Sequence, residues 1–528
     1  MKDPTGSRAV PFLRIESERK RLLVSFLSVF LIGILAHGYA FANLTLSHDS
    51  LYELYLRGDM HYYAGSVTEW KISLGRFLCP VYRMVFPGAV GTPWLSGMLA
   101  LVWVALAVYL VARMFSVDNV LILGLLGAVC TANVSFSALA ATYISDLDSD
   151  MFAVFLAAYG AYLWYSRRGV RRWLAAVPFV LSLALYQAMI SVAVSLIMMS
   201  CILRLLSREE IGGCKAVLRD GVQAIGILLL SGAAYYLLVR AVCGATGIEL
   251  TGKYNGLSHL GEMRIGLVPA AVVSTYKVWL LGVLTQPAGW ARAVTYAAHL
   301  LLGVLFLAAV PGTVLRKKLP AGNVLLALAL CALLPFAMNL SNFLSYAGMR
   351  AHTLMMYSFA LVYPLDLLLL RQSAAERSDS RHISRCAAAS LVLVAAIVWG
   401  NIQTANTLYL KKDLERQATV SQMTDVRIRL EQTEGYVPGE TPVLFSGSPG
   451  GEAPEAFDRV SEITGAGMTS MAGSAGYAAY FEYVLQTPVC ISKDPSVRNS
   501  PEIARMPVFP AEGSVAWIGD TLVVRMSE

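Results

Sequence analysis

The carboxylates between the apolar runs of this sequence are its best candidates for chemistry. Asp49 and Glu53 are four residues apart, so a helix would place them on one face, and Asp59 follows in the same polar stretch. A carboxylate in this position could act as a general base that activates the hydroxyl group of an acceptor. The alternative is that these acids only hydrate a loop.

A second acidic group has three carboxylates at alternate positions, Asp146, Asp148 and Asp150. Oxygen ligands of this kind can bind a divalent cation, but the glycine and the distal glutamate of a calcium-binding loop are absent. Acids in this position could equally cap the following helix, where they oppose its dipole. The sequence therefore leaves capping and function open, and we expect no bound metal.

Arg350 could hold a phosphate group, because a guanidinium matches phosphate geometry with paired hydrogen bonds. Arg240 and Lys277 are weaker candidates of the same kind. Arg350 stands alone before an apolar run, where snorkelling to lipid headgroups is the alternative interpretation. Arg76 lies in an apolar stretch with periodic basic residues, which predicts an amphipathic helix in a membrane interface.

Tyr186 and Gln187 interrupt an apolar stretch, residues 173–206, that is too long for one membrane crossing. We expect the stretch to break here into two short helices. Polar groups near lipid need partners, so broken helices usually face a cavity, although a tight hairpin is the alternative.

The elements that must position these residues are membrane spans. Of the 528 residues, 56% are hydrophobic and only 15% are charged, whereas soluble domains have about 25% charged residues. The net charge of +7 does not indicate nucleic-acid binding, because the basic residues lie at the ends of apolar runs. The eight cysteines have no CxxC spacing and predict neither a disulfide framework nor a zinc site.

A helix crosses the hydrocarbon core of a bilayer in about 20 residues. The first run is expected to be an uncleaved span, because it is too long for the core of a signal peptide. The apolar runs predict about eleven spans, at residues 22–43, 94–115, 119–140, 150–165, 173–186, 188–206, 220–242, 293–314, 320–338, 352–370 and 386–402.

The positive-inside rule predicts a cytoplasmic N-terminal segment, residues 1–21. In that orientation the inside segments hold 22 basic residues, whereas the longer outside loops hold nine. Eleven spans then place the C-terminus outside the membrane. The predicted outside loops are residues 44–93, 141–150, 243–292 and 339–351.

Residues 403–528 predict a small α/β domain outside the membrane. Residues 406–434 have a helical pattern with a charged face, and residues 442–447 have the composition of a buried strand. Residues 515–525 predict a hairpin around a Gly519-Asp520 turn. The predicted fold class is therefore an all-α polytopic membrane protein, with a transmembrane domain at 22–402 and this extracytoplasmic domain after it.

Several short motifs together resemble the Gtr type II family of serotype-converting glucosyl transferases. Their order and topology agree with that family, and they span almost the whole chain. The motifs are His48-Asp49-Ser50, Ser73-Leu-Gly-Arg76-Phe, Asp146-Leu-Asp148-Ser-Asp150-Met, Ser182-Leu-Ala-Leu-Tyr186-Gln187-Ala, Met349-Arg350-Ala and Met506-Pro-Val-Phe-Pro510-Ala-Glu-Gly513-Ser.

The resemblance implies a GT-C-like membrane fold and a hexosyltransferase whose glucose donor is linked to a polyprenyl phosphate. Transfer to a cell-envelope glycan would occur outside the bacterial plasma membrane. A separate enzyme would make the donor, and some means of flipping it across the membrane is implied. Neither a cofactor nor a divalent metal is expected.

The resemblance also implies roles for residues. Enzymes of this architecture commonly use an acid of the first outside loop as base, which maps to Asp49, with Asp59 as the second choice. Arg350 and Arg76 would stabilise the leaving phosphate in a single inverting displacement. Tyr186 and Gln187 are expected to contribute to donor binding.

Two other classes of protein remain open at this stage. A transporter or lipid flippase should show repeated halves and charges inside its spans, but no repeat is visible here and the spans are mostly uncharged. A non-catalytic scaffold for envelope glycan would not require the acids of the first loop. A polymerase or ligase of surface glycan is chemically close to a glucosyl transferase and is hardly separable from it by sequence.

Overall fold

The computed structural model describes residues 13–44, 66–87, 92–207, 213–252, 265–281, 289–343, 353–376, 380–449, 460, 463–466 and 473–527. Within this part of the chain, eight helices are long and apolar enough to cross a membrane. The protein is therefore a helical membrane protein, as its composition predicts. Three other predicted spans coincide with helices that fall outside these eight, so the number eleven stays a prediction.

The helices of the membrane part follow the apolar runs of the sequence. In chain order they are α1 Glu18–Ala42, α2 Ser66–Ser73, α3 Leu78–Val85, α4 Pro93–Met114, α5 Val120–Thr131, α6 Val134–Thr142, α7 Leu147–Ser166, α8 Ala176–Leu185, α9 Ile190–Leu205, α10 Gly213–Thr246, α11 Val268–Leu281, α12 Gly289–Arg316, α13 Ala321–Met338, α14 Leu340–Phe343, α15 Val362–Glu376 and α16 Arg381–Glu431. Short 3₁₀ helices lie at Gly169–Ala175, Gln187–Met189, Ile265–Leu267, Thr353–Met355 and Tyr357–Leu361.

Close packing of small residues brings the first helices together. Helix α4 packs along α1 and α7. A Cβ atom on Gly97 would lie 2.4 Å from the ring of Phe41, and a Cβ atom on Gly33 would lie 2.4 Å from Leu101. Glycine at these positions lets the helix backbones approach closely, as is common between helices in membranes.

Two apolar runs are broken by capping or extended residues. The predicted span 119–140 is two helices, because Asn133 begins α6 and its side chain accepts a hydrogen bond from Phe136 N at 2.9 Å. The predicted break at Tyr186 is confirmed, since Tyr186 is extended (φ −152°, ψ 108°) between α8 and the 3₁₀ turn that precedes α9.

Helix α16 is longer than the sequence pattern suggests. The predicted last span and the predicted helix after it are one continuous helix of 51 residues. It packs along α1 and α12, and its last residues, including Met423, Val426 and Leu430, lie in a second hydrophobic cluster with the C-terminal sheet.

The C-terminal region contains a four-stranded mixed sheet with the strand order β2-β1-β4-β3. The strands are β1 Pro442–Ser446, β2 Cys490–Ile491, β3 Val515–Ile518 and β4 Thr521–Arg525. Strand β1 is parallel to both of its neighbours, and β3 and β4 form the predicted antiparallel hairpin. The described part of the region also contains short helices at Gly473–Ala479 (α17), Pro495–Arg498 (α18) and Ile503–Arg505, with a π-helical turn at Tyr480–Val484.

Candidate functional site

A tight turn between α2 and α3 carries Arg76. Gly75 has a φ of 78°, the left-handed conformation that ends many helices. Its N–H donates to Ile72 O at 2.8 Å, and Arg76 N donates to Lys71 O at 2.8 Å. These two bonds form a helix-ending motif that satisfies the last carbonyls of α2 and fixes the backbone of Arg76.

The guanidinium group of Arg76 stacks on the ring of Tyr186, with 4.3 Å between the guanidinium carbon and the ring centroid. Tyr186 can reach the turn because its extended backbone interrupts the helix pair α8 and α9. The structure therefore brings together two residues to which the resemblance assigns a part in donor binding.

Gln187 and Tyr235 hold the same turn through its backbone. Gln187 Nε2 donates to Leu74 O at 2.8 Å and to the hydroxyl oxygen of Tyr235 at 2.7 Å. The Tyr235 hydroxyl donates in turn to Gly75 O at 3.1 Å. The break between α8 and α9 and the helix α10 thus both fix the turn, and Gln187 acts through positioning in this structure.

The acidic group at the start of α7 contacts one basic residue of α2 and one of α3. Asp146 forms ion pairs with Lys71 and Arg83, and Arg83 Nη2 also donates to Ser145 O at 2.6 Å. The three side chains are at most 8% exposed. Buried charges require such partners, so this arrangement ties α2 and α3 to the start of α7.

Asp148 and Asp150 lie beside this ion pair and are also buried. Burial disfavours the charged form of Arg76, but the neighbouring Tyr186 and Asp150 outweigh this effect and raise the pKa of Arg76 above its ordinary value. Arg76 is therefore cationic at any physiological pH.

Arg76 differs from the other two basic residues in its partners. Lys71 and Arg83 are both ion-paired with Asp146, whereas Arg76 forms no ion pair with any residue that the structure describes. Its side chain is only partly buried, and its Nε atom has no hydrogen-bond partner among those residues. Its guanidinium group is thus the one in this cluster best placed to receive an anion.

The acidic group stands at the start of α7, with Asp146 as the N-cap residue, as the capping interpretation expects. The Asp146 side chain makes no capping hydrogen bond because it is engaged by Lys71 and Arg83. Asp148 and Asp150 do lie in the first turn of α7, where acids oppose the helix dipole. No group of three potential metal ligands is found within the described residues.

Three of the predicted site residues, Asp49, Asp59 and Arg350, lie outside the described residues. Their assigned roles therefore stay predictions. Arg76 contacts Tyr186, Gln187 binds the turn that carries Arg76, and Asp150 of the acidic group is an electrostatic neighbour of Arg76.

Lys71, Arg83 and Tyr235 were not nominated from the sequence. The sequence does contain an indication for Lys71 and Arg83. Both are basic residues in a predicted outside loop, whereas most basic residues of the chain lie in the predicted inside segments. Tyr235 gave no signal, because an aromatic residue inside an apolar helix usually packs in the core.

These features define a class of protein: an integral membrane protein with a compact polar site, built from the helix pair α2 and α3 and the broken helix pair α8 and α9. The chain matches the family model described as glucosyl transferase GtrII over residues 38–363, more than half of its length, and belongs to that family. The match includes every site residue named above and ends before α16 and the C-terminal sheet. Comparisons with curated proteins and with solved structures gave no match.

Proposed function

We propose that this chain transfers glucose from a polyprenyl-phosphate donor to a cell-envelope glycan at the outer face of the bacterial plasma membrane. Membership of the family supports glucosyl transfer. The observation that carries the finer proposal is the stacking of Arg76, a cation without an ion pair among the described residues, on Tyr186. This cation belongs to a segment whose sequence predicts a place in the membrane interface.

A lipid-linked phosphosugar fits such a place. Its phosphate lies at the level of the headgroups, its sugar is in water and its polyprenyl chain stays in the bilayer. The guanidinium group of Arg76 can donate two parallel hydrogen bonds to phosphate oxygens while its face stacks on an aromatic ring. Arg350 is the second cation that we assign to the phosphate.

The proposed reaction is one in-line displacement. The oxygen of an acceptor hydroxyl attacks the anomeric carbon of glucose, and its proton passes to the Asp49 carboxylate. The bond between the anomeric carbon and the phosphate oxygen breaks, and polyprenyl phosphate leaves with the bonding electron pair. Arg350 and Arg76 stabilise the negative charge that develops on the leaving phosphate. A single displacement inverts the anomeric configuration.

The buried ion pairs have a supporting role in this proposal. Asp146 neutralises Lys71 and Arg83 and ties the interfacial segment to α7. Gln187 and Tyr235 hold the backbone just before Arg76. The position of the Arg76 side chain is therefore fixed before the donor binds, which is the condition for electrostatic stabilisation without reorganisation.

The test is transfer of radiolabelled glucose from polyprenyl-phosphate glucose to envelope glycan in membranes that contain the wild type, Asp49→Asn or Glu53→Gln. Glu53→Gln is the matched control, because it removes a charge from the same loop. Label in the glycan with the wild type and the control, but not with Asp49→Asn, supports the reaction and its base. Full transfer by Asp49→Asn would move the base to Asp59. If the wild type transfers no label from this donor, the proposed donor is wrong.

A further inference from the structure

A tight turn of the C-terminal region, residues 463–466, packs against the helix bundle. Ile463 and Ala466 are buried in the same hydrophobic cluster as the bundle helices. Ala466 N donates to Ile463 O at 2.9 Å, which closes the turn. The turn lies beyond residue 363, where the match to the family ends.

Two consecutive lysines of α16 bind the backbone of this turn. Lys411 Nζ donates to Ala466 O at 2.7 Å, and Lys412 Nζ donates to Gly465 O at 3.1 Å. Lys411 and Lys412 are only 3% and 5% exposed. Lys411 also forms an ion pair with Glu415, one turn further along α16. Because a buried ammonium group is costly without polar partners, the carbonyls of the turn stabilise both lysines and so hold the turn against α16.

The same turn lies very close to the C-terminal end of α6. Gly465 has a φ of +87°, and a Cβ atom there would lie 2.2 Å from Thr142 Oγ1, 3.1 Å from Thr142 N and 3.2 Å from Ala141 C. Two of these three atoms belong to the backbone and cannot rotate away. Thr142 is the last residue of α6, and the short segment 143–146 leads directly from it to Asp146.

We propose that the turn 463–466 is a brace that positions the candidate active site from outside the family-matched region. It fixes the end of α6, so that the segment 143–146 presents Asp146 to Lys71 and Arg83. Gly465 is a positioning residue, since it contacts Lys412 and the end of α6 and makes no contact with Asp146, Lys71 or Arg83. The inference rests on the proposed function, because it takes that cluster as the site of glucosyl transfer. A displacement of catalytic groups by about 1 Å can reduce a rate about 10²-fold.

The first test compares Gly465→Ala with Gly513→Ala. Both glycines have a φ near +80°, at +87° and +82°, so the backbone strain of an alanine is matched. A Cβ atom on Gly513 meets nothing closer than Pro507 Cγ at 3.4 Å, which is an ordinary contact. We expect the kcat of glucosyl transfer to fall about 10²-fold in Gly465→Ala and to stay near the wild-type value in Gly513→Ala. Adding Thr142→Ala to Gly465→Ala removes the closest clash and should restore part of the rate.

The second test does not depend on activity. The native Cys79 thiol is 2% exposed and donates to Leu185 O at 3.2 Å beside the charged cluster. Burial raises the pKa of Cys79 to about 12, so the thiol reacts slowly with maleimide. Peptide mass spectrometry can follow Cys79 and, as a reference thiol, the buried Cys386 of α16. We expect Gly465→Ala to speed the reaction of Cys79 about tenfold, through local opening, and to leave Cys386 unchanged.

The two tests separate the brace from the proposed function. Unchanged Cys79 reactivity in Gly465→Ala overturns the brace, whatever the transfer assay shows. Faster Cys79 reaction in a protein whose wild type transfers no glucose keeps the brace and rejects the proposed donor. If Gly465→Ala does not accumulate in membranes, Lys412→Met removes one bond to the turn without adding a Cβ atom, and the same Cys79 measurement decides.

Discussion

The guanidinium carbon of Arg76 lies 4.3 Å from the ring centroid of Tyr186. This contact joins the turn between α2 and α3 to the break between the apolar helices α8 and α9. A stacking contact of this kind is worth roughly 0.5–2 kcal/mol. Unlike an ion pair, it leaves the positive charge of the guanidinium group available to a phosphate. The predictions below test this relationship and the contacts that support it.

Arg76→Lys should reduce glucosyl transfer about 10²-fold, the typical cost of one lost donor to a developing anion. Lysine keeps the charge but loses the planar group that stacks on Tyr186 and binds phosphate in two places. Arg113→Lys is the matched control, because Arg113 also lies over an aromatic ring, that of Tyr162 at 5.3 Å, at the C-terminal end of α4. Initial rates at equal protein amounts are the measurement. Equal losses of transfer rate in the two variants would show that Arg76 has no specific role in transfer.

Tyr235→Phe should destabilise the turn that carries Arg76. The substitution removes the bond to Gly75 O and one partner of Gln187, at a cost of about 1–3 kcal/mol. The neighbouring Tyr236 is 39% exposed, so Tyr236→Phe is the control. Thermal unfolding in detergent should show a lower midpoint for Tyr235→Phe only, together with slower transfer. If both variants unfold like the wild type, the hydrogen bonds of Tyr235 do not support the turn.

Asp146→Asn should be strongly destabilising, because it leaves the buried charges of Lys71 and Arg83 without their anion. The expected cost is about 3–5 kcal/mol. The control Asp118→Asn breaks an ion pair with Arg371 in which Asp118 is 49% exposed, and should cost about 0–1 kcal/mol.

A compensating variant checks the cause of the loss in Asp146→Asn. Adding Lys71→Met removes one of the two unpaired charges and should recover part of the folded protein. The measurement is the amount of monodisperse protein after extraction from membranes. Equal yields from Asp146→Asn and Asp118→Asn would contradict a structural role for this ion pair.

Glucosyl transfer should persist in EDTA. The carboxylate of Asp146 is already paired with two cations, and Asp150 lies close enough to Arg76 to favour its charge. The leaving phosphate would be stabilised by arginine, so the proposed mechanism needs no divalent ion. Rates with EDTA and with added Mg²⁺ or Mn²⁺ are the measurement. Loss of activity in EDTA that Mg²⁺ restores would show that a metal takes part.

Much of the helical framework was predictable because apolar runs and their breaks are local signals. The stretch that contains Tyr186 exceeds the length of one crossing, so a break was required somewhere within it. Asn133 could have revealed the break between α5 and α6, since asparagine is a strong helix cap. The continuity of α16 was missed, although no glycine or proline follows Gly400 before residue 431 to end the helix.

The contacts of the site were predictable only in part. Basic residues are rare in outside loops. The presence of Lys71, Arg76 and Arg83 in a predicted outside loop therefore indicated that these residues have partners or a function. Which acid each of them meets depends on tertiary packing between segments far apart in the chain, and no spacing rule supplies it. The contact of Gly465 with Thr142 is of the same kind, because the close approach of two backbones leaves no trace in composition.

The orientation of the C-terminal sheet relative to the bundle depends on the number of residues in the part of α16 that joins them. From residue 414, just after the segment that binds the turn 463–466, to its end at Glu431, the helix is unbroken. Each residue inserted there would rotate the sheet by about 100° and raise it by about 1.5 Å relative to the bundle. An insertion of seven residues, close to two full turns, would preserve the direction in which the sheet faces, whereas an insertion of two would turn it nearly to the opposite side. The length of one helix therefore determines the direction in which the sheet faces.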